Sequence, residues 1–539
     1  MVKRTNLASL TLAIVVSILC GESSFGQTSF YIDPAFTGGS RNGSQSAPWL
    51  SLSDSGAWSA INSALKSADV TVFFSATGSS TAAIELGNRT DTSSHRLTLD
   101  GISQKNTNKS SPSWTTSVNP TPCKFDAPGC TWVSAPKFTL TATNPIAGSD
   151  SATSCKNYFT VQGFTIHNTE GQSADLTYTG NLTFQYNDVS RVATGSYGPG
   201  VIAGPGNQGP CNNGGNLSGP DNVTIQYNYI HATWGECIYI GASTPDPPGG
   251  TTACGNACHT GDNYLIQGNV IESCASWGGQ GDGTDVKDGH TNLRVIGNTY
   301  RTSKPCANCG TQNPGNDGQG PLFESGALVE SNYIEAPGHQ CIPIYASWNN
   351  SVGRGVMNVI NNMCVNANSG VGSNVAYHWW SPSSGVPAWT GVNFYNNTAY
   401  NVGQPNRDPC ISIDSGNPSK SANVENNVVS TCGGPGLSAA SGIINVHDYN
   451  DYYNTASCLS ETHGLCTDPM FVSTAQPYVD TNFSLQDATP LKSGGVDLSS
   501  IFKTDYFDAT RTAPWDMSAT AIGSTPGPSP PTALTASVN

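Results

Sequence analysis

Between Gly281 and Gly289 the chain reads GDGTDVKDG, with Asp282, Asp285 and Asp288 set around a single lysine, Lys287. Carboxylates so close together offer the hard oxygen ligands that calcium prefers, and calcium is the cation expected at these three aspartates. A lysine among carboxylates can move a proton in catalysis if burial and neighbouring charge tune it. Glycine and aspartate also suit a plain turn. The alternation Thr284, Asp285, Val286, Lys287 argues for a strand, with Thr284 and Val286 on one face and Asp285 and Lys287 on the other.

Similar short strands recur along the chain. They are CIYIG from Cys237, GTDVK from Gly283, CIPIY from Cys341 and CISID from Cys410, with GPLFE from Gly320 and NVAYH from Asn374 as less regular members. Stacking them gives two inward columns, Ile238, Thr284, Pro321, Ile342, Val375, Ile411 and Ile240, Val286, Phe323, Ile344, Tyr377, Ile413. These are nearly all apolar, which supports the register. The outward columns are Tyr239, Asp285, Leu322, Pro343, Ala376, Ser412 and Gly241, Lys287, Glu324, Tyr345, His378, Asp414. With neighbouring coils about 4.8 Å apart, Lys287, Glu324, Tyr345 and His378 are expected side by side as the catalytic column. Glu236, Tyr239 and Asp414 flank it as substrate contacts, and Trp348, Trp379 and Trp380 follow the same strands as aromatic faces for a substrate. The structural alternative is a solvated face with a surface ion pair.

What must position these strands is a longer repeat. Nine asparagines, Asn187, Asn228, Asn269, Asn298, Asn332, Asn362, Asn397, Asn427 and Asn450, each follow a short run of alternating apolar residues. Their spacing is that of one solenoid turn with variable loops. Asparagine tolerates left-handed backbone angles and can hydrogen-bond its counterpart in the next coil, so a corner ladder is expected.

Composition agrees. Only 11% of the 539 residues are charged, against about 25% in an average domain, and 59 glycines suit a turn-rich β protein. A net charge of −15 argues against nucleic acid as a partner. Residues 1–27 read as a secretory signal, with Lys3 and Arg4 before the apolar run Leu7–Leu19, too short to span a membrane. Of 17 cysteines, Cys20 lies in that signal, and the even remainder suits disulfides in an oxidising compartment. Cys254, Cys258, His259, Cys306 and Cys309 have only loosely zinc-like spacing. Residues 524–539, rich in Pro, Ser and Thr, read as a disordered tail. The expectation is a secreted monomer, extracellular or periplasmic, whose partner is neither nucleic acid nor membrane.

The Asn repeat, the opening FYIDPAFTGGSRNGSQSAPWLSL with the helix-like AWSAINSALKSA, and the closing DPMFVSTAQPYVDTNFSLQDATPLKSGGVDLSS together resemble secreted bacterial right-handed parallel β-helix proteins of the pectate-lyase-like superfamily. The resemblance covers residues 28–523 and implies one all-β domain, a single-stranded right-handed parallel β-helix with an N-terminal capping helix. That superfamily includes lyases, hydrolases, epimerases and adhesins, so fold alone does not choose. The GDGTDVKDG segment looks like calcium-dependent β-helix lyases, which implies β-elimination on a uronate-containing polysaccharide with Lys287 as base. No arginine joins the column, since Arg294 falls on the following strand. Alternatives are a glycoside hydrolase using two of Glu236, Asp285, Glu324 and Asp414, although the polygalacturonase motifs are absent, and a non-catalytic glycan-binding adhesin.

Overall fold

The computed structural model describes residues 28–105, 114–115, 122–148, 155–168, 171–191, 198–204, 211–213, 216–218, 220–241, 261–274, 281–287, 290–301, 320–335, 340–345, 355–368, 374–381, 391–415 and 422–524. Among these residues, three long parallel sheets form a right-handed β-helix. The first has 13 strands, from Thr28–Ile32 to Ile444–Asp448; the second 12, from Ser79–Ser80 to Asp451–Tyr453; the third 11, from Ile84–Glu85 to Leu437–Ala439. Each coil visits the sheets in that order, so every strand pairs with the equivalent strand one coil away. The signal and most of the tail lie outside the described residues, as do the zinc-like Cys254, Cys258, His259, Cys306 and Cys309.

Period-2 alternation fills the interior. On the third sheet Ile238, Ile240, Val286, Phe323, Ile342, Ile344, Ile411 and Ile413 are all fully buried. Thr284 also points inward, and its hydroxyl is satisfied by the Tyr300 phenol at 3.0 Å.

All nine expected asparagines form the corner ladder. Each Nδ2 donates to the Oδ1 of the next asparagine at 2.9–3.1 Å, from Asn187 to Asn450. Each Oδ1 from Asn228 to Asn450 also accepts a backbone N–H from the preceding coil's asparagine, and that of Asn187 accepts the Phe164 N–H. The left-handed residue is not the ladder asparagine but the one before it: Tyr186, Tyr227, Gly268, Gly297, Ser331, Asn361, Asn396, Asn426 and Tyr449 all have φ between 51° and 62°. Glu461 closes the ladder by accepting the N–H and Nδ2 of Asn450.

From Val201–Gly204 onward, the residue entering each third-sheet strand is small or a cysteine: Gly200, Cys237, Gly283, Gly320, Cys341, Ala376, Cys410 and Gly436. A Cβ at Gly320 would lie 2.0 Å from the Cys341 carbonyl oxygen, so the corner has no room for one. The cysteines turn this tightness into staples. Cys237–Cys274, Cys341–Cys364 and Cys410–Cys432 each tie the start of a third-sheet strand to the second-sheet segment of the following coil.

The helix Ala57–Leu65 buries Ala57, Ile61 and Leu65 at the N-terminal end, three residues shorter than its sequence pattern. After the last coil the chain folds back over the outside. Leu498, Phe502 and Trp515 cover Ile296, Leu328, Ile360 and Tyr395 on the first sheet. Phe471, Phe483, Tyr506 and Met517 cover Tyr333, Met363, Val365 and Val428 on the second. Nearer the N-terminus, the loop closed by Cys123–Cys130 seats Trp132 beside Tyr186 and Tyr227. None of these segments packs its apolar cluster on the third sheet.

Candidate functional site

The outer face of the third sheet carries the Lys287 column. The strand Thr284–Val286 pairs with Ile238–Ile240 on one side and Pro321–Phe323 on the other, which places Tyr239 beside Asp285 and Glu324 beside Lys287. The Lys287 ammonium lies 2.7 Å from Asp285 Oδ2 and 3.2 Å from Glu324 Oε1. It also sits over the Tyr239 ring, 5.5 Å from its centre. Its side chain is 18% exposed, while Asp285 and Glu324 are buried beneath it. The lysine is therefore the accessible member of the group.

Backbone details hold it there. Gly241 is the neighbour of Lys287 in the preceding coil, and a Cβ at Gly241 would fall 2.5 Å from the lysine Cβ. Ser325 Oγ donates to the Lys287 carbonyl at 2.8 Å and accepts the His290 N–H at 3.1 Å, fixing the turn that follows. Neither Gly241 as a spacer nor Ser325 as a turn lock follows from the sequence pattern; both need the coils in register.

A buried acidic trio adjoins the lysine. Glu236, Asp282 and Asp285 bring one carboxylate oxygen each within 4.8 Å of one another. Glu236 and Asp282 occupy equivalent positions in neighbouring coils, joined by the Cys237 N–H donating to the Asp282 carbonyl. Two oxygens bound to one calcium at about 2.4 Å are at most about 4.8 Å apart. Asp285 Oδ1 has no hydrogen-bond partner among the described residues. Oxygen-only donors, burial and an uncompensated carboxylate oxygen fit a hard divalent cation. Sequence reasoning named Asp282 and Asp285 but took Glu236 for a substrate contact; buried and facing the two aspartates, it belongs with them. Asp288 lies outside the described residues.

The titration of the group agrees with that excess of acid. Burial alone would lower the Lys287 ammonium, but the Asp285 and Glu324 carboxylates outweigh it and hold it well above the usual lysine range. Burial pushes the Asp285 carboxyl up, against the pull of Lys287. Several buried carboxyl groups around one ammonium retain positive charge, as proton or as cation.

No protein-family model matches the chain and no curated protein matches it. Among solved structures it is similar to the pectate lyase Pel9A, with 14% identity over 93% of this chain and 97% of that one and a TM-score of 0.38. It is also similar to PfbA, a surface adhesin of Streptococcus pneumoniae, with 12% identity over 74% of this chain and 87% of that one and a TM-score of 0.39. A GH136 lacto-N-biosidase from Eubacterium ramulus shares 12% identity over 78% of this chain and 67% of that one, with a TM-score of 0.31. The β-helix assignment rests on the three sheets themselves.

Further along the third sheet the expected column needs correction. The strand Tyr377–Ser381 pairs Tyr377 with Ile342 and Ile411, His378 with Pro343 and Ser412, and Trp380 with Tyr345 and Asp414. The expected register was two residues off. His378 thus falls in the Asp285 column, and Trp380 takes its place in line with Lys287. His378 still faces outward, where its Nδ1 meets Gln340 Oε1 and its Nε2 meets Asp414 Oδ2, both at 3.0 Å. It does not join Lys287, from which it is three rungs distant. Trp379 is fully buried in the core and presents no face to a sugar, whereas Trp380 is 46% exposed. Tyr239 is nearly buried under the Lys287 ammonium, so it supports the lysine and offers little surface to a substrate. Tyr345 ends the strand Ile342–Tyr345 in the Lys287 column, with only its backbone described, and Trp348 lies outside the described residues.

Proposed function

We propose that the chain is an exported carbohydrate-active enzyme that cleaves a uronate-containing polysaccharide by β-elimination on the outer face of the third sheet. The observation that carries this reading is the pairing of an accessible lysine with a buried oxygen-donor trio on the same rungs. Elimination needs a base for the proton next to the uronate carboxylate and positive charge to offset that carboxylate. Glu236, Asp282 and Asp285 would hold a calcium ion, which would supply the offsetting charge. With that charge in place to offset the carboxylates that otherwise keep its ammonium protonated, Lys287 would act as the base and take the proton from the sugar carbon. Asp285 and Glu324 orient its amine, and Tyr239 forms the wall behind it. The disulfides suit an oxidising compartment, and no helix among the described residues is long and apolar enough to cross a membrane.

Hydrolysis by the Asp285 and Glu324 carboxylates is the weaker reading. Both are buried under Lys287, whose ammonium fills the space a glycosidic oxygen would need.

The test is a screen on uronate and neutral polysaccharides with and without chelator, following the ultraviolet absorbance of the unsaturated product. Lys287→Ala should keep the fold and lower turnover by about 10²–10⁴-fold. Unchanged turnover in that variant, or new reducing ends without the unsaturated chromophore, would sink the lyase reading. Activity and melting temperature both left unchanged by chelator would remove the calcium.

A further inference from the structure

We propose that the same face holds two stations of opposite character, so that the substrate is a mixed polymer: a uronate residue at Lys287 and a neutral residue at Trp380, further along one chain laid across the coils. This rests on the reading above and narrows it to a class of substrate.

Register puts Trp380 in line with Lys287, Glu324 and Tyr345, three rungs from the lysine. At about 4.8 Å per rung that is about 14 Å, too far for one sugar ring to touch both. Tyr377 and Trp379 point inward and are fully buried, which fixes the strand and leaves Trp380 standing outward. At 46% exposure the indole offers aromatic area on which the apolar face of a sugar can rest. Among the described residues, the other exposed large apolar side chains, Val446, Val472, Val479 and Ile501, belong to the last coil and the C-terminal segment, away from this sheet.

The polar groups beside the indole are braced. His378 is held by Gln340 from the preceding coil and Asp414 from the following one, so its ring cannot swing freely. Asp414 is half-exposed, and among the described residues its Oδ1 accepts the Ser412 hydroxyl at 3.1 Å. The hydrogen bond from His378 holds the Asp414 carboxyl below the usual carboxylate range. A flat apolar ring with an anionic acceptor at its rim matches the C–H face and hydroxyl edge of a pyranose. The same anion repels a sugar carboxylate. The Lys287 station has the opposite sign, since an ammonium and a cation-holding trio attract one.

Binding and turnover separate the two claims. With Lys287→Ala to stop cleavage, titration of the indole fluorescence should show binding of a mixed uronate–neutral polymer in preference to a homopolymeric uronate. In the active enzyme Trp380→Ala should raise KM for the mixed polymer about tenfold with kcat within about twofold, and Trp380→Phe should recover most of the loss. Asp414→Asn should narrow the preference against homopolymeric uronate. Equal use of both polymers by the unaltered enzyme, or a KM indifferent to Trp380→Ala, overturns the two-station proposal and leaves the lyase reading standing. Trp380-dependent binding of a neutral or mixed glycan without any cleavage supports the second station and overturns the lyase reading. No glycan bound or cleaved overturns both.

Discussion

Lys287 shows how a single side chain is prepared by residues that never touch substrate. Gly241 is the least conspicuous of them. Its φ of +133° and the 2.5 Å approach of a notional Cβ to the lysine stem both require glycine. Gly241→Ala should therefore displace Lys287, lowering kcat by about tenfold or more, and the backbone strain should lower the melting temperature as well. Wild-type kcat in that variant would show that the lysine tolerates a looser seat. The place of Lys287 was legible from plain alternation in GTDVK, as was its contact with Glu324. The role of Glu236 was not. It lies 46 residues before Asp282, and only the pairing of Ile238 with Thr284 brings the two acids together.

Among the elements, the hydrogen bonds of the asparagine ladder were legible because each asparagine ends a periodic run and the period carries the corner with it, whereas the left-handed residue turned out to be the one before. The strand Tyr377–Ser381 was misplaced for the complementary reason. A two-residue slip preserves which side chains face out, so alternation cannot detect it; only the length of the incoming loop decides. The expected face survived while the expected neighbours did not. The ladder's buried amides should also dominate coil stability. Asn298→Ala would strip the Asn269 N–H and Nδ2 of their acceptor and leave the Ile266 carbonyl without its donor. A loss of about 2–5 kcal/mol is expected in urea unfolding. Asn445→Ala, which removes an exposed asparagine pair on the outside of the coil, should cost well under about 1 kcal/mol. Equal losses would mean the interior ladder is not the stronger one.

For the molecule as a whole, the fold-back of the C-terminal segment decides which faces are free. That segment was read from sequence only as final coils, because its apolar residues follow no period; they fit the outsides of two sheets already built. Its docking buries Glu330 on the first sheet near Asp508. Burial, with Asp508 adding to it, pushes the Glu330 carboxyl up to about 7. A raised acid binds its proton more tightly in the folded state. Its stabilising contribution is full below pH of about 4.5 and is lost as pH rises through about 7, with a swing of the order of 3 kcal/mol. Glu330→Gln should therefore flatten the fall in melting temperature across this range and raise it at pH 8. An unchanged profile would place the titration elsewhere, with Asp451, also pushed up to about 7 by burial, the next group to replace.

The ladder also has a direction. Every amide from Asn187 to Asn450 donates toward the C-terminal coil, so the side-chain dipoles add head to tail and present their positive pole at Asn450. Glu461 sits on that pole as a buried carboxyl group, accepting from Asn450 and from the Tyr452 phenol at 2.7 Å. A stack ended this way cannot grow past Asn450 by appending a coil, because the new amide would have to displace this terminator. It can grow only by insertion, each added coil bringing one asparagine in the same orientation. Length variation in such a helix belongs to its middle, where Lys287 and Trp380 are, and an inserted coil would move the two apart by one rung.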